Sequence, residues 1–76
     1  MTLDAKLTEE IKKWTAKLDS ALSAARARSE RGKKMFSNIK AYREDSGHFL
    51  KQGDLIKSFE CLIWAWSLLE IGRELR

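Results

Sequence analysis

Apolar side chains recur along the first third of the chain at alternating steps of four and three residues. The series comprises Leu3, Leu7, Ile11, Trp14, Leu18, Leu22 and Ala25. This spacing is typical of one face of an amphipathic helix, so it predicts helix 1 from about residue 3 to about residue 28. Arg26 and Arg28 near the end of that helix are expected to complement its dipole.

A second series follows the polar segment 29–34, which contains Gly32 and interrupts the apolar rhythm. Its members are Met35, Ile39, Tyr42, Ser46 and Phe49. They predict helix 2 over about residues 34–52. Gly53 suits the left-handed residue that ends a helix and Asp54 suits the first capping position of the next, so this pair predicts a tight reversal.

Helix 3, expected over about residues 55–75, is apolar around most of its circumference. The spacing favours a core face made of Ile56, Phe59, Ile63, Trp66 and Leu69. A helix that is apolar on nearly all sides is either central or covered by a partner. Because Trp64 and Trp66 are about 200° apart around the helix, both cannot face one groove. We therefore predict a protein interface at Trp64, Leu68 and Ile71.

Together these elements predict an all-α fold, an antiparallel up-down-up bundle of three helices in a single domain over residues 1–76. A chain of 76 residues has room for one core only. Its 43% hydrophobic and 34% charged residues are typical of a folded domain rather than a disordered one.

Short sequence motifs in all three predicted helices, and in the reversal between helices 2 and 3, form a characteristic combination. They are Tyr-Arg-Glu-Asp at 42–45, Phe-Leu at 49–50, Gly-Asp at 53–54, Phe-Glu at 59–60 and the run 64–72, with Lys-Trp at 13–14 and Ala-Leu at 21–22 in helix 1. This set resembles the archaeal domain-of-unknown-function 357 family. The resemblance implies a small helical bundle in an archaeal cytoplasm, and it implies no reaction.

One departure from that family concerns its Tyr-Ala-His-Gly motif. Here the corresponding run is Trp64-Ala65-Trp66-Ser67, followed by a retained carboxylate at Glu70. An indole is neither a general base nor a metal ligand. Any function shared with the family is therefore expected not to need the histidine that Trp66 replaces.

Titratable residues form no recognisable catalytic or metal-binding set. His48 is the only histidine, with Glu44 and Gln52 as its neighbours along a helix, and a metal site needs three or four ligands. Asp45 and Glu70 are expected about 10 Å apart, too far to share a proton. We expect no enzyme activity, no cofactor, no metal and no small-molecule substrate.

Indole N–H groups that become buried need an acceptor. Asp45 and Tyr42 on helix 2 are expected at the height of Trp64 and Trp66 on helix 3. The sequence therefore predicts that Asp45 or Tyr42 partners at least one of these indoles.

The expected compartment is the cytoplasm. Cys61 is the only cysteine, so no intramolecular disulfide can form, and this suits a reducing compartment. Residues 1–6 lack the pattern of a secretory signal, and the longest apolar run, 61–69, is about half of what a membrane span needs. We expect no membrane insertion.

Positive charge is concentrated at one expected end of the bundle, and the net charge is +4. The basic pole consists of Arg26, Arg28, Arg31, Lys33, Lys34, Arg73 and Arg76. Cations at the C-terminal ends of helices 1 and 3 complement dipoles, but Lys33 and Lys34 at the start of helix 2 do not.

Two functions follow as alternatives from the apolar surplus and the basic pole. The first is a protein-interaction or homo-oligomerising module, expected to form a homodimer or to bind another protein through helix 3. The alternative is a small nucleic-acid-binding module that uses the basic pole around residues 26–34.

Overall fold

The computed structural model describes residues 2–25 and 29–75, with side chains as far as residue 73. This part of the chain forms three α-helices and contains no strand: α1 (Leu3–Ala24), α2 (Glu30–Lys51) and α3 (Leu55–Leu75). They pack as an antiparallel three-helix bundle, which confirms the predicted all-α fold. α2 and α3 contact each other along their lengths, whereas α1 packs mainly against α3.

Helix α1 ends earlier than the sequence predicted. Its last residue is Ala24, and Ala25 is already extended, with φ −75° and ψ 148°. No basic residue lies in the last turn of α1, so its dipole is not complemented there as we expected. Arg26 and Arg28, which we placed in that turn, lie outside the described residues.

Helix α2 begins four residues before its predicted start. Ser29 is the N-cap, and its hydroxyl accepts a hydrogen bond from the Gly32 backbone N–H at 3.0 Å. A serine cap stabilises a helix by about 1 kcal/mol, which offsets a similar cost of placing Gly32 inside the first turn. The glycine therefore lies within the helix rather than before it.

The reversal between α2 and α3 is the one that the sequence predicted. Gly53 has φ 79°, and its N–H donates to the Leu50 carbonyl, while the Asp54 N–H donates to the Phe49 carbonyl at 2.9 Å. This pair of bonds satisfies carbonyls that the end of α2 would otherwise leave open. The Asp54 carboxylate then accepts from the Lys57 N–H at 3.1 Å and caps α3. Both predicted roles are confirmed.

The core draws on all three helices. Its buried apolar side chains are Ile11, Leu18, Ile39, Leu62, Ala65 and Leu69. The predicted inward positions of α1 and α2 are confirmed at Ile11, Leu18 and Ile39, whereas Leu3 at the start of α1 is 79% exposed.

Among the described residues, no helix combines the length and the apolar composition needed to cross a membrane.

Candidate functional site

The side of α3 that faces the core carries small residues next to the interface with α2. Ser46 on α2 and Ser58 on α3 are both buried, and each hydroxyl donates to the other residue's backbone carbonyl at 2.8 Å. Ala65, two turns further along α3, is also fully buried. Small side chains let two helix backbones approach closely, so these residues determine which side of α3 turns inward.

The opposite side of α3 exposes large apolar side chains. Their exposed fractions are 68% for Ile56, 48% for Ile63, 58% for Trp64 and 48% for Ile71. Glu60 and Ser67, both exposed, lie between them on the helix surface. We call this surface the α3 face; it consists of Ile56, Glu60, Ile63, Trp64, Ser67 and Ile71.

The predicted interface of Trp64, Leu68 and Ile71 overlaps this surface only in part. Trp64 and Ile71 are exposed, but Leu68 is half-buried and packs against the core. Ile56 and Ile63, which we assigned to the core, are exposed instead, so that assignment was wrong. The inward side is centred on Ser58, Leu62, Ala65 and Leu69.

Trp64 is held in place although it is exposed. Its indole stacks on the phenol ring of Tyr42 from α2, with ring centroids 6.4 Å apart and an interplanar angle of 22°. A fixed aromatic side chain loses little conformational entropy when a partner covers it. Trp64 is therefore well suited to anchor an interface.

Trp66 lies on another side of α3 and contacts α1. Its ring meets Trp14 edge to face at 5.8 Å, and its Nε1 donates to the Trp14 backbone carbonyl at 3.3 Å. The prediction that Asp45 or Tyr42 accepts from the N–H of Trp64 or Trp66 is wrong for the described residues, because Trp66 faces α1 and Trp64 contacts Tyr42 through its ring. Asp45 is exposed, and Tyr42 meets Trp64 through ring stacking.

An open groove runs between α1 and α3 beside this pair of indoles. It is lined by Trp14, Phe59, Leu62, Ile63, Trp66, Ser67 and Glu70. At one edge the Lys17 ammonium lies 4.6 Å from the centre of the Trp14 ring. At the other edge Glu70 accepts from Arg73 at 2.9 Å, so its charge is already partnered.

The described part of the basic pole comprises Arg31, Lys33, Lys34 and Arg73. All four are exposed, and two of them form ion pairs within their own helix: Lys33 with Glu30 at 3.6 Å, and Arg73 with Glu70. Because α2 begins at Glu30, Arg31 and Lys33 lie in its first turn, where the helix dipole disfavours cations. Arg26, Arg28 and Arg76 lie outside the described residues.

Titratable groups elsewhere make local contacts. His48 Nε2 lies 3.1 Å from Gln52 Nε2, and no three His, Cys, Asp or Glu side chains within the described ranges approach one another as metal ligands would. Cys61 is half-buried, and burial raises the pKa of its thiol, with the charges of Asp45 and Glu60 acting in the same direction. A raised pKa makes a thiol less reactive.

One bidentate ion pair connects α1 to α2. Arg43 donates from Nε and Nη2 to the two carboxylate oxygens of Asp19, at 2.7 Å and 3.0 Å. These hydrogen bonds lower the pKa of the Asp19 carboxyl below its usual value, against a smaller opposing effect of burial.

Fold and surface together define a class: small all-α proteins in which three helices form the core and the last helix leaves a broad apolar surface in solvent. Within that class, the chain belongs to the DUF357 family, whose members are described as proteins of unknown function and whose sequence model matches residues 9–76. The family resemblance inferred from the sequence motifs is thus confirmed.

A solved structure supports the same assignment. The chain is similar to protein AF1782 from Archaeoglobus fulgidus, a DUF357 protein with a crystal structure, at 36% sequence identity and a TM-score of 0.87. The similarity covers 97% of this chain and 92% of the other. Among curated proteins, none matches this chain.

Proposed function

We propose that this protein is a protein-interaction module that associates, in the first place with itself, through the α3 face. The observation that carries the proposal is Trp64, which is 58% exposed although it is held against Tyr42. Tryptophan is enriched among the residues that dominate binding energy at interfaces.

The extent of the exposed apolar surface supports the same proposal. Three isoleucines share the α3 face with Trp64, and the chain leaves all of them outside its own core. Isolated exposed apolar residues are common on proteins, whereas a group of them along one helix marks an interaction surface. The proposal assigns the protein no reaction, cofactor or small-molecule substrate.

A cytoplasmic setting belongs to the proposal as well. Its support is the single cysteine, which leaves no intramolecular disulfide to form.

A charge placed on the α3 face tests the proposal. Ile71→Lys introduces an ammonium that must be desolvated on association, so we expect the self-dissociation constant to rise by at least about tenfold. Sedimentation velocity over a series of protein concentrations measures it.

The matched control is Leu3→Lys, which makes the same kind of change at a residue that is 79% exposed and lies on α1, away from the α3 face. We expect its dissociation constant to equal that of the unchanged protein. Equal weakening by both variants, or no effect of either, would contradict the proposal.

Nucleic-acid binding through the basic pole is a second candidate. The observation that favours it is the position of Arg31 and Lys34: both are exposed near the start of α2, and neither has a carboxylate within 4.0 Å among the described residues. Because these two cations neither complement the helix dipole nor form an ion pair with the described residues, they can contact the phosphates of a nucleic acid.

The second candidate predicts salt-dependent binding. Fluorescence anisotropy with labelled single- and double-stranded RNA and DNA of about 20 nucleotides should show affinity that falls steeply between about 50 and 200 mM salt. Lys34→Glu should weaken binding, whereas Lys51→Glu at the opposite end of α2 should change it much less. An affinity indifferent to salt or to Lys34→Glu would contradict this candidate.

A further inference from the structure

The α3 face has a chemical symmetry along the helix. Ile56 and Ile63, seven residues apart, form one apolar strip, and Trp64 and Ile71, also seven apart, form the other. Glu60 and Ser67 lie between the strips, one near each end. The midpoint of the helix between Ile63 and Trp64 is equally far from Ile56 and Ile71, and equally far from Glu60 and Ser67.

We infer that two copies of this chain pair through their α3 helices in antiparallel orientation, with a two-fold axis beside the midpoint between Ile63 and Trp64. This inference rests on the proposed function and adds to it the partner, the orientation and the register. Two-fold pairing uses the same surface on both copies, which is the commonest arrangement of homodimers.

This register brings the apolar residues of the two α3 faces level with one another. Ile56 lies level with Ile71 of the second copy, and Ile63 lies level with Trp64 of the second copy. The outer apolar contacts are separated by 15 residues, or about 22 Å of helix. Each exposed apolar residue of the α3 face thus finds an apolar partner.

The polar residues of the α3 face, Glu60 and Ser67, favour an antiparallel over a parallel pair. In the antiparallel pair, the Glu60 carboxylate lies level with the Ser67 hydroxyl of the second copy and can accept its hydrogen bond. A parallel pair would place the two Glu60 carboxylates side by side in a largely apolar interface, where burying two like charges costs free energy. Charge therefore favours the antiparallel orientation.

The rest of the bundle leaves room for this contact. α1 and α2 pack on the side of α3 that carries Leu62, Ala65 and Leu69. Each reaches one edge of the α3 face, where Trp14 of α1 lines a groove with Ile63 and Ser67 and where Tyr42 of α2 stacks on Trp64. The α3 face between these two edges is exposed and open to a second α3.

Cysteine cross-linking tests the register directly. In a Cys61→Ala background, the double variant Glu60→Cys/Ser67→Cys should form disulfide-linked dimers at least about tenfold faster than either single variant. Residues 60 and 67 of one helix are about 10 Å apart, too far for a disulfide within the chain. Non-reducing electrophoresis after mild oxidation measures the rate, and circular dichroism confirms that each variant is helical.

Charge exchange provides a second test that needs no cysteine. Ser67→Glu places a carboxylate level with Glu60 of the second copy, so the dissociation constant should rise by at least about tenfold. Adding Glu60→Lys to that variant should restore association, because opposite charges then meet. In a parallel pair, Lys at position 60 would face Lys and Glu at position 67 would face Glu. The double variant would then not restore association.

The outcomes separate this inference from the proposed function. Fast cross-linking by Ser67→Cys alone would show a parallel pair and would overturn the antiparallel register, while leaving the α3 face as the interface. A dimer that Ile71→Lys dissociates but that the double cysteine variant does not cross-link would also overturn only the register. A monomer at every concentration would overturn both.

Discussion

Trp64 and Trp66 show how two residues of one type, two positions apart, acquire different roles. Trp66 is held by the Trp14 ring and carbonyl and joins α1 to α3. Trp64 is held by Tyr42 but keeps most of its surface in solvent. The sequence established that both could not face one groove, yet it could not say which side α1 would occupy. That choice depends on contacts between residues far apart in the chain.

Asp19 gives a residue-scale prediction for acid stability. Arg43 lowers its pKa in the folded protein, so the unfolded chain binds the proton more readily. The stabilisation is fully present above the unfolded value of about 3.9 and is lost as the pH falls through the lower folded pKa. Because the pair is partly exposed, its contribution is about 0.5 to 1 kcal/mol.

Urea unfolding at pH values from about 6 down to about 2.5 measures this effect. Asp19→Asn should lower the free energy of unfolding at the upper end of that range. The free energy should then fall less steeply as the pH is lowered. Asp45→Asn, an exposed change on α2, serves as the control and should leave the Asp19 contribution intact. An unchanged acid profile in Asp19→Asn would show that the ion pair does not stabilise the fold.

At the scale of elements, the ends of the helices were predictable where capping signals were strong. Gly53 and Asp54 stop one helix and start the next through local bonds, so the sequence is sufficient to place them. Ser29 is an equally good cap, but Gly32 inside the following turn obscured it. The lesson is that a capping serine can outweigh one glycine near a helix start.

The orientation of α3 could not be read from its sequence. Apolar residues lie on nearly all sides of that helix, so periodicity gives no preferred inward direction. The small residues Ser58 and Ala65 turn inward, and the bulky Ile56 and Ile63 turn outward. A search for small residues at helical spacing would have been the useful signal, because they permit close helix packing.

Gly53 supports a prediction for the helix reversal. Its φ of 79° is unfavourable for any residue with a Cβ, so Gly53→Ala should lower the free energy of unfolding by about 1 to 2 kcal/mol. Equilibrium urea denaturation followed by circular dichroism measures the change.

The control for this variant is Gly47→Ala, the same substitution inside α2. A Cβ there meets Nη1 of Arg43 at 3.2 Å, so the guanidinium that pairs with Asp19 must shift slightly, while alanine favours a helix more than glycine does. We expect this variant to lose much less stability than Gly53→Ala. Equal losses would mean that backbone conformation is not what Gly53 provides.

At the scale of the whole molecule, α1 is attached less extensively than the other two helices. Its interhelical contacts include the buried Ile11 and Leu18, the Trp14–Trp66 pair and the Asp19–Arg43 ion pair. α2 and α3 pack along their lengths and form the more continuous part of the bundle. The α3 face therefore belongs to the best-supported helix, which suits an interface that must keep its shape.

Charge and apolar surface are separate at this scale. The described cations of the basic pole lie at one end of the bundle, whereas the α3 face runs along its side. Association through the α3 face should therefore depend little on ionic strength, in contrast to binding of phosphates. This difference allows one experiment to distinguish the two functions.

Sedimentation velocity of the unchanged protein measures self-association through the α3 face most directly. Runs at increasing protein concentration, each at about 50 and 500 mM salt, report the mass in solution. We expect the mass to rise toward that of two chains with concentration, and to do so equally at both salt concentrations. A mass of one chain at every concentration would contradict self-association through the α3 face.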